Sequence, residues 1–212
     1  MAYGGSPSPT PAAEIRILAL GDSYTIGEGV AEADRWPVRL AAALRALGSS
    51  VAAPTIIART GWTTDELSAG IDAARPDSAY DLVTLLIGVN NQYRGRGEDE
   101  YRAHFRTLLD RAIVFAGGRA TRVVVVSIPD WGATPFANGR DRPAIARAID
   151  RFNAVSREET NRSGAHYADI TMLSRRAAGD ASLVAADGLH PSATMYAAWV
   201  DVILPIALRI VS

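Results

Sequence analysis

Residues 15–30, IRILALGDSYTIGEGV, constrain the fold of this chain more than any other stretch. The segment begins with an apolar run at residues 17–20, and a strand that is apolar on both faces is typical of a parallel sheet covered by helices. The run stops at Gly21, and the small residues after it indicate a turn that leads into a helix. Ser23 therefore lies just beyond the carboxyl end of a buried strand, where open α/β sheets bind their ligands.

The rest of the chain alternates apolar runs with helical patterns. Further strands are predicted at residues 51–58, 81–87, 123–128 and 166–170, and helices at 35–47, 98–116, 142–160 and 192–210. Thr63 and Glu66 have the spacing of a capping box, which predicts a shorter helix after them. Residues 130–139 are predicted as a loop, and residues 171–186 show no clear pattern. Pro205 predicts a kink or a break in the last helix.

This alternation predicts an α/β protein, a three-layer α/β/α sandwich around a parallel five-stranded sheet. Pro54 cannot donate to a strand ladder, so the second strand is expected at a sheet edge. Together with right-handed crossovers, this favours the flavodoxin-like strand order 2-1-3-4-5. Residues 15–212 are predicted to form a single domain. Residues 1–14 are rich in Gly, Pro, Ser and Thr and are predicted to be a flexible tail.

Two residue types are missing from the 212-residue chain, and their absence shortens the list of possible chemistries. Without cysteine there are no disulfides, thiolate nucleophiles or cysteine metal sites. Without lysine there is no Schiff-base lysine and no phosphate-binding lysine of a Walker loop. The three histidines, His104, His166 and His190, lie far apart in the sequence, which disfavours a zinc site built on paired histidines. We therefore predict no metal and no cofactor.

Charge and hydropathy bear on partners and location. The net charge is −1 and no block of like charges occurs, which disfavours nucleic acid and anionic membrane surfaces as partners. No apolar stretch comes near the ~20 residues of a membrane-spanning helix, so no integral membrane segment is predicted. No basic start followed by an apolar segment is present, so we expect a cytoplasmic protein, or a secreted one if a leader was removed. Nothing in the pattern predicts an oligomeric state.

Polar and small residues follow three of the predicted strands. Ser23 follows the first strand, Gly61 the second and Asn90 the third. In the order 2-1-3 these strands are neighbours about 4.8 Å apart, so the three residues are expected to meet at one sheet edge. Asp187 and His190 lie three residues apart in a loop before the last helix. Such a loop could bring its histidine over the same edge.

The blocks GDSYTIGEG, TGW, GVNN and DGLHPS resemble, in order and approximate spacing, those of the SGNH (GDSL-type) serine hydrolases. The resemblance extends from about residue 15 to the C-terminus. It implies that Ser23 is the nucleophile, His190 the general base and Asp187 the carboxylate that orients the base. It also implies an oxyanion hole made of the backbone N–H groups of Ser23 and Gly61 and the side-chain amide of Asn90.

The chain departs from the family pattern at two positions. Tyr24 follows the GDS block where the family name implies leucine, and Asn91 stands where the asparagine block usually ends in aspartate. Neither position is a catalytic group named above. The second departure leaves open how the loop that carries Asn90 is held.

The resemblance implies a metal-independent serine hydrolase that cleaves acyl esters through an acyl-enzyme. Short-chain carboxylic esters or acetylated small molecules are the favoured substrates, because the sequence shows no long apolar lid segment. An acyl-thioesterase, a lysophospholipase or a carbohydrate O-deacetylase are alternatives with the same machinery. A non-catalytic α/β binding domain is an alternative of a different class. Tyr24, Trp62 and Trp131 are candidates for lining the substrate pocket, although packing is the favoured role for the two tryptophans.

Overall fold

A computed structural model describes residues 14–77 and 79–212. Its centre is a parallel sheet in the order β2-β1-β3-β4-β5. The strands are β1 (Ile17–Asp22), β2 (Thr55–Arg59), β3 (Leu82–Leu86), β4 (Val123–Val126) and β5 (His166–Ala168). Every residue of β1, β3 and β4 is buried, as the unbroken apolar runs predict. The predicted fold class and strand order are confirmed, whereas most of the predicted tail, residues 1–13, lies outside the described residues.

The helices form a layer on each side of this sheet. They are α1 (Ser23–Ile26), α2 (Trp36–Ala46), α3 (Thr64–Ala74), α4 (Val89–Tyr93), α5 (Glu98–Phe115), α6 (Arg142–Ser163), α7 (Thr171–Ser174) and α8 (Ala193–Val211). Short 3-10 helices lie at Glu32–Asp34, Ala120–Arg122, Trp131–Ala133, Pro135–Ala137, Arg175–Ala178 and Ala181–Leu183. Helix α2 packs on α8, while α5 packs between α3 and α6. The predicted three layers are therefore present.

The second strand is shorter than predicted. It begins at Thr55, directly after Pro54, whereas the prediction began at residue 51. Val51 is confined to an isolated bridge with Ile15, because Pro54 has no N–H with which to continue a ladder. The edge position that Pro54 predicted is confirmed, since β2 pairs with β1 alone among the described strands.

Three segments for which no helix was predicted contain helical turns. The segment after β3 forms helix α4, which the sequence analysis did not predict, with Gly88 as its N-cap at φ 129°. Residues 130–139 contain two 3-10 turns, and the segment without a clear pattern contains α7 and two more. These elements have three to five residues, too short for the 3.6-residue periodicity to register.

The C-terminal helix α8 runs without a break through Pro205, so the predicted split is wrong. Pro205 is exposed, while Ile203 and Ala207 on either side are completely buried and hold the helix against the core. By length and composition α8 also meets the criteria for a membrane-spanning helix, with a mean hydropathy of 1.6 over its best window. Its inner face nevertheless contributes Tyr196 and Trp199 to the protein core.

Candidate active site

The junction between β1 and α1 presents Ser23 at the carboxyl edge of the sheet. Asp22 ends the strand and caps α1, accepting a hydrogen bond from the N–H of Tyr24 at 3.0 Å. A Cβ atom on Gly21 would lie 2.1 Å from Thr25 Oγ1 and 2.6 Å from the Leu86 carbonyl oxygen. Only glycine therefore permits this tight corner, which places the serine as the first residue of the helix.

Asp187 and His190 form a bonded pair in the loop before α8. The Asp187 Oδ2 atom lies 2.6 Å from His190 Nδ1, and Oδ1 accepts the N–H groups of Leu189 and His190, each at 2.9 Å. Partial burial alone would raise the pKa of Asp187, but these hydrogen bonds outweigh it and hold the pKa below its ordinary value. The carboxylate therefore remains ionised and fixes the orientation of the imidazole.

Close packing brings this loop against the segment that follows Ser23. A Cβ atom on Gly29 would lie 2.8 Å from the Ala185 Cβ and 3.8 Å from the His190 Cβ, so the two loops touch across the glycine. The rings of Tyr24 and His190 lie 5.4 Å apart between centroids. As a result His190 is 6 % exposed, although it lies in a surface loop.

Ser23, Asn90 and His190 line one cleft of about 130 Å³. The other lining residues are mostly apolar and are Tyr24, Val89, Tyr93, Trp131, Phe136 and Leu189. Within the described part of the chain, the Ser23 hydroxyl makes no hydrogen bond to the His190 ring. Catalytic hydrogen bonds are often long before substrate binds, and rotation about χ1 moves a serine hydroxyl within such a cleft.

The two asparagines of the GVNN block hold the loop before α3. The Asn90 amide donates one N–H to the Trp62 carbonyl oxygen at 2.9 Å, which leaves its second N–H for a ligand in the cleft. The completely buried Asn91 accepts the Thr64 N–H at 3.1 Å and donates to Thr64 Oγ1 at 2.8 Å. Asn91, which replaces the aspartate usual in the family, therefore bonds both the N–H and the hydroxyl of Thr64.

Gly61 lies in the turn after β2 with φ +81°, a conformation that favours glycine. Its carbonyl oxygen accepts Arg94 Nη2 at 2.6 Å, and Arg94 is in turn paired with Glu66. The neighbouring Thr60 hydroxyl donates to the Glu28 carboxylate, which ties this turn to the segment after Ser23. Gly61 is not among the residues that line the cleft.

Of the three pocket candidates, Tyr24 and Trp131 line the cleft and Trp62 does not. The Trp62 ring lies over Gly70 of α3, where a Cβ atom would sit 2.1 Å from it, and the residue contributes only its carbonyl oxygen to Asn90. Because Gly70 has no side chain, the Trp62 indole packs against α3 and does not reach the cleft.

Sequence reasoning missed several residues of the cleft wall. Tyr93 was not identified because the helix α4 that carries it was not predicted. Leu189 was not identified either, although it stands between Asp187 and His190 in the DGLHPS block. Phe136 stands with Trp131 in the predicted loop, where the sequence left open whether these aromatic residues line a pocket or pack under it, and it lines the cleft.

The other two histidines do not line the cleft. His104 Nδ1 lies 3.4 Å from Thr64 Oγ1 on α3, and His166 begins β5. Among the residues that the structure describes, no three His, Asp or Glu side chains are grouped to hold a metal ion. Asp22, which precedes Ser23, is completely buried, and this burial raises its pKa to about 7 although the Tyr24 N–H donates to it.

Comparison with known protein families gives a match over most of the chain. Residues 19–198 match the model of the GDSL-like lipase/acylhydrolase family. The chain belongs to this family. Membership in the GDSL-like family makes the protein a hydrolase, and the matched region runs from β1 into α8.

Solved structures share the fold of this GDSL-like hydrolase at low sequence identity. A lipolytic G-D-S-L family protein from Veillonella parvula is 18% identical, with a TM-score of 0.71 over 92% of this chain and 99% of that one. A lipase/acylhydrolase from Enterococcus faecalis is 22% identical, with a TM-score of 0.67 over 92% and 96%. An acetylxylan esterase from Geobacillus stearothermophilus is 17% identical, with a TM-score of 0.66 over 93% and 94%. No curated protein matches the chain.

Proposed function

We propose that this protein hydrolyses short-chain carboxylic esters, with Ser23 as nucleophile, His190 as general base and Asp187 as orienting carboxylate. One observation carries the proposal: Ser23, Asn90 and His190 line a single cleft, and His190 is bonded to Asp187 at 2.6 Å. A nucleophile, a base and a carboxylate acceptor are the three groups that acyl transfer by serine requires.

In the proposed first step, His190 Nε2 takes the proton of the Ser23 hydroxyl as its oxygen attacks the ester carbonyl. The bond from Nδ1 to Asp187 Oδ2 supports this role, because it leaves Nε2 as the ring nitrogen free to accept a proton. The imidazolium then gives the proton to the departing alkoxide. The acyl group remains on Ser23 until water, deprotonated by the same imidazole, releases it as a carboxylic acid.

The tetrahedral intermediate carries a negative charge that needs preorganised donors. We assign this role to the second N–H of the Asn90 amide and to the backbone N–H groups of Ser23 and Gly61. The bond from Asn90 to the Trp62 carbonyl oxygen supports the assignment, since it fixes the amide before substrate binds. Gly61 does not itself line the cleft. Its assignment is supported by the bond from Arg94 Nη2 to its carbonyl oxygen, which holds the turn after β2 in place.

The preference for small acyl groups follows from the size of the cleft. Its volume of about 130 Å³ is below the roughly 300–1,000 Å³ of pockets that take drug-sized ligands. Apolar side chains such as Val89 and Leu189 in its wall suit an acyl chain more than a charged group at this depth.

Covalent labelling tests the proposal. A fluorophosphonate probe should add one label to the wild-type protein and none to Ser23→Ala. An exchange of an exposed serine elsewhere, Ser182→Ala, is the matched control and should keep the label. Labelling of a folded Ser23→Ala variant would overturn the assignment, and a wild-type protein that takes no label would favour the non-catalytic binding domain.

A panel of esters with increasing acyl length then tests the substrate class. We expect kcat/KM to be highest for acetyl to butyryl esters and to fall for longer chains. A thioester and an acetylated xylo-oligosaccharide included in the panel separate the thioesterase and the deacetylase alternatives. A maximum at long acyl chains would contradict the short-chain proposal.

A further inference from the structure

Three aromatic rings form one wall of the cleft. Tyr93 comes from α4, and Trp131 and Phe136 come from the loop after β4; all three line the same cleft as Ser23. The ring centroids are 5.3 Å apart for Tyr93 and Trp131, 6.0 Å for Trp131 and Phe136, and 6.2 Å for Tyr93 and Phe136. Tyr93 and Phe136 are 46 % and 39 % exposed, so this aromatic wall continues from the cleft to the protein surface.

Arg140 lies over this aromatic wall. Its guanidinium carbon is 5.5 Å from the ring centroid of Tyr93 and 5.3 Å from those of Trp131 and Phe136. The Nη2 atom also approaches the Tyr93 hydroxyl at 3.4 Å. A cation within about 6 Å of a ring face is attracted to it, so the rings hold the charged group at the mouth of the cleft.

In the described part of the chain, no carboxylate forms an ion pair with the Arg140 guanidinium. Among the ion pairs of residues 14–77 and 79–212, none involves Arg140, whereas Arg94 is paired with Glu66. A guanidinium has five N–H donors, and the long contact to Tyr93 occupies one of them. This exposed side chain makes no other hydrogen bond to the described residues, so its remaining donors can bind an oxyanion in bidentate geometry.

We propose that Arg140 is a specificity residue that binds a carboxylate or phosphate group carried by the substrate, at the end remote from the reacting ester. The part of the substrate between the ester and this oxyanion would lie along the rings of Tyr93 and Phe136. The proposal rests on ester hydrolysis at Ser23. It narrows the substrate class to small esters with an anionic end, on either the acyl or the alcohol side.

Matched pairs of substrates test this proposal. On the acyl side, the para-nitrophenyl monoester of glutaric acid is compared with the corresponding glutaramide ester, which has the same shape without the charge. On the alcohol side, the acetyl ester of para-hydroxybenzoate is compared with that of para-hydroxybenzamide. An acetyl ester of a hydroxyphenyl phosphate distinguishes a phosphate from a carboxylate. For each pair the measured quantity is the ratio of kcat/KM for the anionic ester to that for the neutral ester.

We expect Arg140→Gln to lower this ratio about tenfold for at least one pair, because a charge-assisted bidentate contact is lost. Arg140→Lys keeps the positive charge but cannot form the bidentate contact of a guanidinium, so it should lower the ratio less. Arg147→Gln, an exchange of an exposed arginine on α6, removes the same charge elsewhere and should keep the wild-type ratio. The wild-type ratio should also fall between about 20 and about 500 mM salt, since exposed charges are screened.

An equal ratio in the wild type and Arg140→Gln, for both pairs, would overturn the proposal. Arg140 acting only as a clamp on the aromatic wall would change both members of a pair alike, and so would give this result. A failure of the proposed function gives a different result, since the wild type would then hydrolyse neither the neutral nor the anionic esters.

Discussion

Replacing Asp22 by asparagine should make the stability of the protein less dependent on pH. The Asp22 carboxyl is completely buried, and among the described residues its Oδ2 atom has no hydrogen-bond partner. Its Oδ1 atom accepts the Tyr24 N–H at the start of α1. Asparagine caps helices as well as aspartate does and keeps this acceptor, but it cannot take up or release a proton.

The magnitude follows from the raised pKa of Asp22. Burial raises this pKa from 3.8 to about 7, so the folded protein keeps a proton that the unfolded chain releases between these values. The unfolded state then binds fewer protons, and the free energy of unfolding falls as the pH rises through this window. At about 1.4 kcal/mol for each tenfold change in proton affinity, the full loss is about 4 kcal/mol. About 3 kcal/mol of it falls between about pH 5 and about pH 8.

Urea denaturation of the wild type and Asp22→Asn at these two pH values measures the difference. We expect the wild type to lose about 3 kcal/mol more than the variant on going to the higher pH. Asp110→Asn, which removes an exposed carboxylate, is the control and should keep the wild-type dependence. Equal pH dependence in the wild type and Asp22→Asn would refute the argument. Should Asp22→Asn not fold, carbon NMR of the wild-type aspartate carboxyls would measure the same titration directly.

Three further outcomes are expected. Asn90→Ala should lower kcat about 10²–10³-fold with little change in KM, and an unchanged kcat would remove Asn90 from the oxyanion hole. Asn91→Ala should lower the free energy of unfolding by about 2–4 kcal/mol, because the N–H and the hydroxyl of Thr64 both lose their partner. Asn91→Asp should lower it less, because a carboxylate can accept from both groups. The lowered pKa of Asp187 should keep this carboxylate ionised when the pH is lowered from about 7 to about 5, and a carbon NMR titration that protonates it in this range would contradict this.

Much of the fold could be predicted because single residues carried strong constraints. The apolar run that becomes β1 is buried on both faces, and Pro54 alone placed the second strand at the edge of the sheet. The start of that strand was not predictable in the same way. The residues before Pro54 are compatible with a strand, and only the missing N–H decides that regular pairing begins at Thr55.

The cleft wall could not be derived from the sequence because its members come from separate segments. Tyr93, Trp131 and Phe136 meet only through the packing of α4 against the loop after β4. For Trp62, likewise, the sequence could not show that the side chain lies outside the cleft. Its position after the second strand made it a candidate for the pocket, yet the absence of a side chain at Gly70, on the neighbouring helix, leaves the space in which the indole packs.

The GVNN block shows how local helical geometry gives two identical neighbours different roles. Successive residues of an α-helix point about 100° apart, so in α4 the side chains of Asn90 and Asn91 leave in different directions. Asn90 reaches the cleft and the Trp62 carbonyl oxygen, whereas Asn91 turns inward to Thr64. Without the helix, both amides would be equal candidates for the oxyanion hole. The turn of α4 therefore separates the group proposed to bind the substrate from the group that holds the loop in place.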